Sequence, residues 1–359
     1  MRGKKSQKML IKKIPKLSRE KISFFSRRNF LRLDKNERVE DFPKKLIKNL
    51  KFSSFDLSAY PETGKIYKLL SKKLHVKLNQ LLIIPGSEFG IRVCLEHFCN
   101  TKKNPRLLAL EPTFGMVDAY SKLYRIKKIN ILYNQYLQID LTKFLNRIKR
   151  NVSLIIIANP NSPTGTIIEK ESLLKIVNKA KKLNIPVLID EAYAGFYNFS
   201  YVKFIKKFQN LIVLRTFSKS YGLAGLRAGY LISNKKIMRE IYKYKPMYEI
   251  NSIACKIIEK FLKNFSIEKK YISETNAGKK YFQKELKKIK VQYLKTYANF
   301  IHINLKNKKN FIEKKLKSKK ILTRKGPGVK GFNNFLRITL GPENQMKKVI
   351  KVLKKNYIS

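Results

Sequence analysis

At 359 residues, with 43% hydrophobic side chains that include 22 Phe and 19 Tyr, the chain holds enough apolar material for one large domain or two sharing a hinge, which excludes wholesale disorder. Its 80 Lys plus Arg against 24 Asp plus Glu leave a net charge of +56, but "KKIPK", "IKKIN", "KAKKL" and "KKLKSKK" spread the basic residues along the whole length. They read as a solvated coat rather than a specific nucleic-acid surface, and no aliphatic run approaches the roughly 20 residues that span a bilayer. Residues 1–30, dominated by lysine and with little periodicity, are expected to form a basic arm rather than an apolar leader, and 31–50 a segment packing near a smaller domain. From 51 to 233 strands and helices alternate. "QLLIIPG" (80–86) reads as a buried strand, and "SEFGIRVCLEHFC" (87–99) as a helix with Ile91, Cys94, Leu95 and Phe98 on one face and Ser87 as its N-cap. "RLLALEP", "VSLIIIANP", "IPVLIDEAY", "LIVLRTFSK" and "RAGYLIS" follow as short continuous apolar strands. Such strands joined by helical crossovers predict an α/β fold, a mostly parallel sheet covered on both faces in three layers. From 234 to 359 the pattern turns to long Lys-rich amphipathic helices and alternating segments, "NFIHINL" and "FLRITLG", which predict a smaller α+β domain. Cys94, Cys99 and Cys255 lack metal-ligand spacing beside three scattered histidines, so they are expected to be reduced, buried thiols in a cytoplasmic protein without a metal.

In an open α/β sheet, ligands bind beyond the carboxyl ends of the strands. The unusual polar residues sit at those ends. "NPNSPTG" (159–165) follows "LIIIA", Asp190 closes "VLID", and Ser218 and Lys219 follow "LIVLRT". Gly86, Ser87 and Glu88 lead from "LLII" into a helix whose free first-turn amides favour a phosphate. A lysine such as Lys219 can condense with an aldehyde. A carboxylate such as Asp190 can keep a ring nitrogen protonated, so that the ring accepts carbanion charge. An arginine grips a carboxylate through two hydrogen bonds, which a lysine cannot match. Together these groups suit a phosphorylated aldehyde cofactor.

With these motifs in this order, the chain resembles the fold-type-I pyridoxal-phosphate aminotransferases of class I/II, from "LRLDKNE" (31–37) to "LRITLG" (336–341). Within them it is most similar to the histidinol-phosphate aminotransferase branch. The resemblance implies pyridoxal 5'-phosphate as cofactor and a catalytic set of Lys219, Asp190 and Tyr193. Lys219 of "TFSKSYGLAGLRAGY" would carry the cofactor, with Ser218, Arg227 and the backbone amides of Ser87 and Glu88 on its phosphate. Asp190 would face the ring nitrogen, Tyr193 of "DEAY" the ring's phenolic oxygen, and Phe114 of "EPTFGM" the ring face. Many relatives place Asn directly before Pro-Thr-Gly; this chain has Ser162 there and Asn161 one position earlier, and either can serve at the ring oxygen, or Tyr193 can act largely alone. Tyr60 of "YPETG" is implied to reach the phosphate in a partner subunit, which makes a homodimer with shared sites. Arg337 would bind the substrate α-carboxylate and Arg324 of "ILTRKG" its distal group. The chain reads "LDKNERV" where the branch has "LDxNENP", and it lacks the Pro-Tyr segment that usually precedes it.

The implied activity is amino-group transfer between an amino acid or amino-alcohol phosphate, such as histidinol phosphate, and a 2-oxo acid, such as 2-oxoglutarate. Decarboxylation of an amino-acid phosphate, as in a threonine-phosphate decarboxylase, stays open because no motif decides which bond breaks. A nucleic-acid-binding protein on a degenerate enzyme scaffold is the remote alternative, opposed by the intact Lys219, Asp190 and Arg227.

Overall fold

The computed structural model describes residues 24–357, so most of the basic arm, residues 1–23, lies outside the described residues. Seven strands build the central sheet: β1 (Leu81–Ile84), β2 (Arg106–Glu111), β3 (Lys127–Leu132), β4 (Leu154–Ala158), β5 (Val187–Asp190), β6 (Leu211–Thr216) and β7 (Gly229–Ser233), in the order β1-β7-β6-β5-β4-β2-β3. Their continuous apolar runs follow from burial on both faces. In β4, Ile155 and Ile157 enter one core while Leu154 and Ile156 enter the other; β5 and β6 divide the same way, with Val187, Ile189, Leu211 and Val213 against Leu188, Ile212 and Leu214. Helices cover both faces, so the large sheet is the middle of three layers.

Three details depart from the local reading. β7 runs antiparallel to both neighbours, β6 and β1. The link from β6 to β7 is the loop around Lys219, closed by backbone bonds from Phe217 to Ala228 and from Leu223 to Phe217. Without a crossover helix the chain must turn back on itself, which gives an antiparallel pair. Second, "KKINIL" forms the edge strand β3, with mostly exposed or half-exposed side chains; its two leading lysines suit an edge that must not pair with another chain. Third, Ser87 is not the N-cap but the first residue of helix α1 (Ser87–Leu95), and Gly86 takes the capping position.

Past 234 the chain stays on the large sheet for some distance. Met238 and Ile241 lie in one of its flanking cores, and Ile258, Phe261 and Leu262 in the other. The change of sequence pattern therefore precedes the change of core. A further core gathers Phe282 and Leu286 of helix α2 (Phe265–Lys288) with Met346, Val349, Ile350 and Leu353 of helix α3 (Glu343–Tyr357). It also takes Leu33 and Val39 from the start of the described chain. These pack on a three-stranded antiparallel sheet of β8 (Phe300–Asn304), β9 (Arg324–Lys325) and β10 (Phe335–Thr339), in the order β9-β10-β8. Leu31–Arg32 pairs in parallel with Ile321–Leu322. The segment 33–39 is thereby laid between this second core and the loop that carries Lys219.

Candidate active site

Asp190 ends β5, in register with Ala158 on β4 and Leu214 on β6. Its carboxylate is buried and accepts a hydrogen bond from the Ala192 backbone N–H at 3.0 Å. Burial pushes its pKa up to about 7; the neighbouring Glu191 adds to this, while the Lys219 charge and the Ala192 bond oppose it. Lys219 lies in the β6–β7 loop, and its Nζ donates to the carbonyl oxygens of Lys35 at 3.0 Å and Asn36 at 2.9 Å. Desolvation lowers its pKa, the guanidinium charges of Arg337 and Arg227 act in the same direction, and Tyr193 and Glu37 oppose them. Its Nζ is 5.8 Å from the centre of the Tyr193 ring. Tyr193 is buried edge-on to Phe300, and its Oη accepts a hydrogen bond from Asn36 Nδ2 at 3.0 Å.

Gly86 precedes α1 with φ +82°, a conformation that suits glycine, and a Cβ there would lie 3.1 Å from Arg227 Nη2. The Arg227 guanidinium thus sits over the start of α1, where the amides of Ser87 and Glu88 open the helix. Two sources of positive potential converge there, which favours an anion between them. Ser218 is buried, with its backbone N–H bonded to Thr216 Oγ1 at 3.1 Å. Phe114 stands at the head of the helix Gly115–Leu123 and remains 37% exposed.

On the second sheet, Arg337 of β10 faces Arg324 of β9 on one side and His302 of β8 on the other. Arg337 is buried, its Nη2 donates to the Asp34 carbonyl at 2.8 Å, and its Cζ lies 5.2 Å from the Phe300 ring centre. Its buried Nε has no hydrogen-bond partner among the described residues. Burial lowers its pKa, and Arg324 does the same. Like charges directly opposite on a sheet repel, so an anion between them would relieve this pair. Burial also lowers His302 to about 4, so it does not add a positive charge near neutral pH.

Two of the expected site residues have other partners within this chain. Asn161 is buried with both amide protons in use, on the Pro112 carbonyl at 3.0 Å and Thr164 Oγ1 at 2.9 Å, while its Oδ1 accepts from Thr113 Oγ1 at 3.2 Å. Both of its donor protons are taken, because it ties its own loop to the one that carries Pro112 and Thr113. Tyr60 is 73% exposed and stacks on Tyr248 with ring centres 4.1 Å apart, so within one chain it does not join the other site residues. Conversely, Asn36, Asn299 and Thr339 meet at Tyr193 and Lys219 without having been singled out. One local signal pointed to Thr339: it lies two positions after Arg337, on the same face of its strand.

The family model for aminotransferase class I and II matches residues 28–353. The chain belongs to this aminotransferase family. The histidinol-phosphate aminotransferase of Clostridium novyi is 32% identical over 336 residues, covering 90% of this chain and 91% of that protein. The enzyme of the same description from Buchnera aphidicola is 34% identical, covering 86% and 88%. The solved structure of the histidinol-phosphate aminotransferase of Clostridium acetobutylicum shares the fold at a TM-score of 0.81 and 24% identity, covering 90% of this chain and 98% of that one. L-threonine-O-3-phosphate decarboxylase of Porphyromonas gingivalis also shares it, at 0.74 and 20% identity, covering 90% and 98%.

The protein is thus a pyridoxal-phosphate-dependent aminotransferase with the fold-type-I architecture. The aminotransferase's own donor set fits that cofactor: an amine depressed in pKa, a buried carboxyl at a strand end, a phenol, and a guanidinium over a helix start whose glycine leaves room for it. Among the described residues no helix is long and apolar enough to cross a membrane.

Proposed function

We propose that Lys219 carries the cofactor and that the enzyme moves an amino group from an amine with an anionic tail to a 2-oxo acid, histidinol phosphate and 2-oxoglutarate being the first pair to test. The observation that carries the choice of tail is the Arg324–Arg337 pair, two guanidiniums on facing strands with their side chains on one face of the small sheet. Arg337 grips the planar carboxylate of the acid, or the equivalent polar group of the amine, and Arg324 holds the tail.

The bound cofactor supplies an electron sink for the charge left when a proton leaves the substrate's α-carbon. The Lys219 Nζ would take and return that proton; its lowered pKa keeps more of it neutral, as a base requires. Asp190 holds the ring nitrogen's proton, because a cation beside this buried carboxyl restores its charged form. Tyr193 donates to the ring oxygen, since Asn161 has no free donor. Ser218, Arg227 and the first amides of α1 hold the phosphate, and Phe114 covers the ring face.

The tail reading makes a direct prediction. Losing one charge-assisted pair costs about 1.5–3 kcal/mol, so Arg324→Ala lowers kcat/KM for phosphorylated amines by roughly ten- to hundredfold and leaves neutral-tailed amines nearly unchanged. A panel of amines, read by the cofactor's absorbance change, checks both the substrate class and this variant. Carbon dioxide release from an amino-acid phosphate in the same panel would favour decarboxylation. A wild-type preference for alanine or aromatic amino acids, with no tail dependence in the variant, contradicts the proposal.

The active unit in this reading is a homodimer. Phe55, Leu57, Tyr60 and Met247 are large apolar side chains left exposed, and Tyr60 stacks on Tyr248; exposed apolar side chains of this kind suit an interaction surface. Tyr60 would then complete the partner's phosphate site. Mixing Lys219→Ala chains with Tyr60→Phe chains yields heterodimers that hold one intact site each, so activity rises above that of either parent. An active monomer in sedimentation rules sharing out. A reducing cytoplasm suits the three buried free thiols, Cys94, Cys99 and Cys255.

A further inference from the structure

Asn36 is 2% exposed and holds φ at 54°, a left-handed conformation that asparagine tolerates better than most residues. Its polar groups are all engaged. The backbone N–H donates to Thr339 Oγ1 at 3.1 Å, and the side-chain Oδ1 accepts from the same hydroxyl at 3.2 Å. The carbonyl accepts from Lys219 Nζ at 2.9 Å and from Asn299 Nδ2 at 3.2 Å, and Nδ2 donates to Tyr193 Oη at 3.0 Å. One residue therefore touches both the lysine and the phenol and ties them to the second sheet.

The direction of the bond to Tyr193 follows from Thr339. That hydroxyl is fully buried, and Asn36 Oδ1 is its acceptor. Turning the amide over would leave the hydroxyl proton unpaired inside the protein, which is unfavourable. Nδ2 therefore faces Tyr193 and donates, so the phenol oxygen accepts from Asn36 and its own proton must point elsewhere. Among the described residues no acceptor takes that proton. Of its charged neighbours, Arg337 has no acceptor atom, and the Lys219 Nζ is turned to the Lys35 and Asn36 carbonyl oxygens.

We infer that Asn36 is a positioning residue that makes Tyr193 a one-way donor toward the cofactor's ring oxygen while its carbonyl places the Lys219 amine. The inference rests on the roles proposed above for Tyr193 and Lys219. The bond from Tyr193 draws negative charge from the ring oxygen. Without it, that oxygen holds the proton on the neighbouring lysine nitrogen to higher pH.

Asn36→Asp keeps the size and tolerates the same φ but offers the phenol an acceptor, so Tyr193 turns its proton away from the ring. Asn36→Gly removes the side chain and keeps the backbone carbonyl. The readout is the pH midpoint of the bound cofactor's visible absorbance in the resting holoenzyme. Tyr193→Phe and Asn36→Asp should each raise it by about one unit, and Asn36→Gly should raise it by less. In a Tyr193→Phe background, Asn36→Asp should add under half of its own shift. If Tyr193→Phe moves the midpoint and neither Asn36 variant does, the inference is wrong while the Tyr193 reading survives. If the two shifts simply add, Asp acts through its charge alone and the inference is also wrong. An unmoved midpoint in Tyr193→Phe removes both.

Discussion

Lys219→Ala is expected to abolish turnover and to remove the covalent attachment of the cofactor. The same amine has two tasks, bonding the aldehyde and moving the proton, and no second lysine among those with a lowered pKa has the same surroundings. Among the described residues the other is Lys279, whose Nζ bonds the Thr296 carbonyl. General acid–base catalysis alone is worth about 10²–10⁴-fold, and loss of the nucleophile adds to it. The fold should persist, because Lys219 anchors no core and gives up only two hydrogen bonds to carbonyls of the segment 35–36. Borohydride trapping followed by peptide mapping checks the assignment: an adduct on any other lysine overturns it.

Asp190→Asn is expected to lower turnover by about 10²–10³, the usual cost of one well-placed electrostatic group, with only a moderate change in substrate binding. The same substitution has an opposite signature in the cofactor-free protein. Folding raises the Asp190 pKa from 3.8 to about 7, so the folded chain keeps a proton that the unfolded chain releases. Its contribution to stability is fully present below about pH 4 and is lost as pH rises through 7. At 1.36 kcal/mol per unit this amounts to roughly 4 kcal/mol. Asn carries no such charge, so cofactor-free Asp190→Asn should gain on the wild type between pH 4 and pH 8. Urea midpoints measured at both ends of that range test it. A variant whose disadvantage grows with pH would show that Asp190 is ionised and well paired without the cofactor.

Both substitutions fall on residues whose place was legible from the chain alone, for the same reason that the large sheet was. A strand buried on both faces must be apolar throughout, so "LIIIA", "VLID" and "LIVLRT" stand out, and a polar residue that ends such a run marks the strand's mouth. Lys219 and Asp190 are close in sequence to the strands that position them. Periodicity carries nothing about strand direction where the connection is an irregular loop, and β7 runs antiparallel for that reason. Asn161 looked available because its neighbours suggested it, whereas its amide is taken up by Pro112, far away along the chain. The facing of Arg324 and Arg337 depends on the register of two strands. Asn36 reaches Thr339 across 303 positions of sequence. Hydrogen bonds and registers of this kind are set by how separate cores pack together, and no local pattern of residues encodes them, so folding alone decided which polar side chains were used up inside the protein and which were left facing the site.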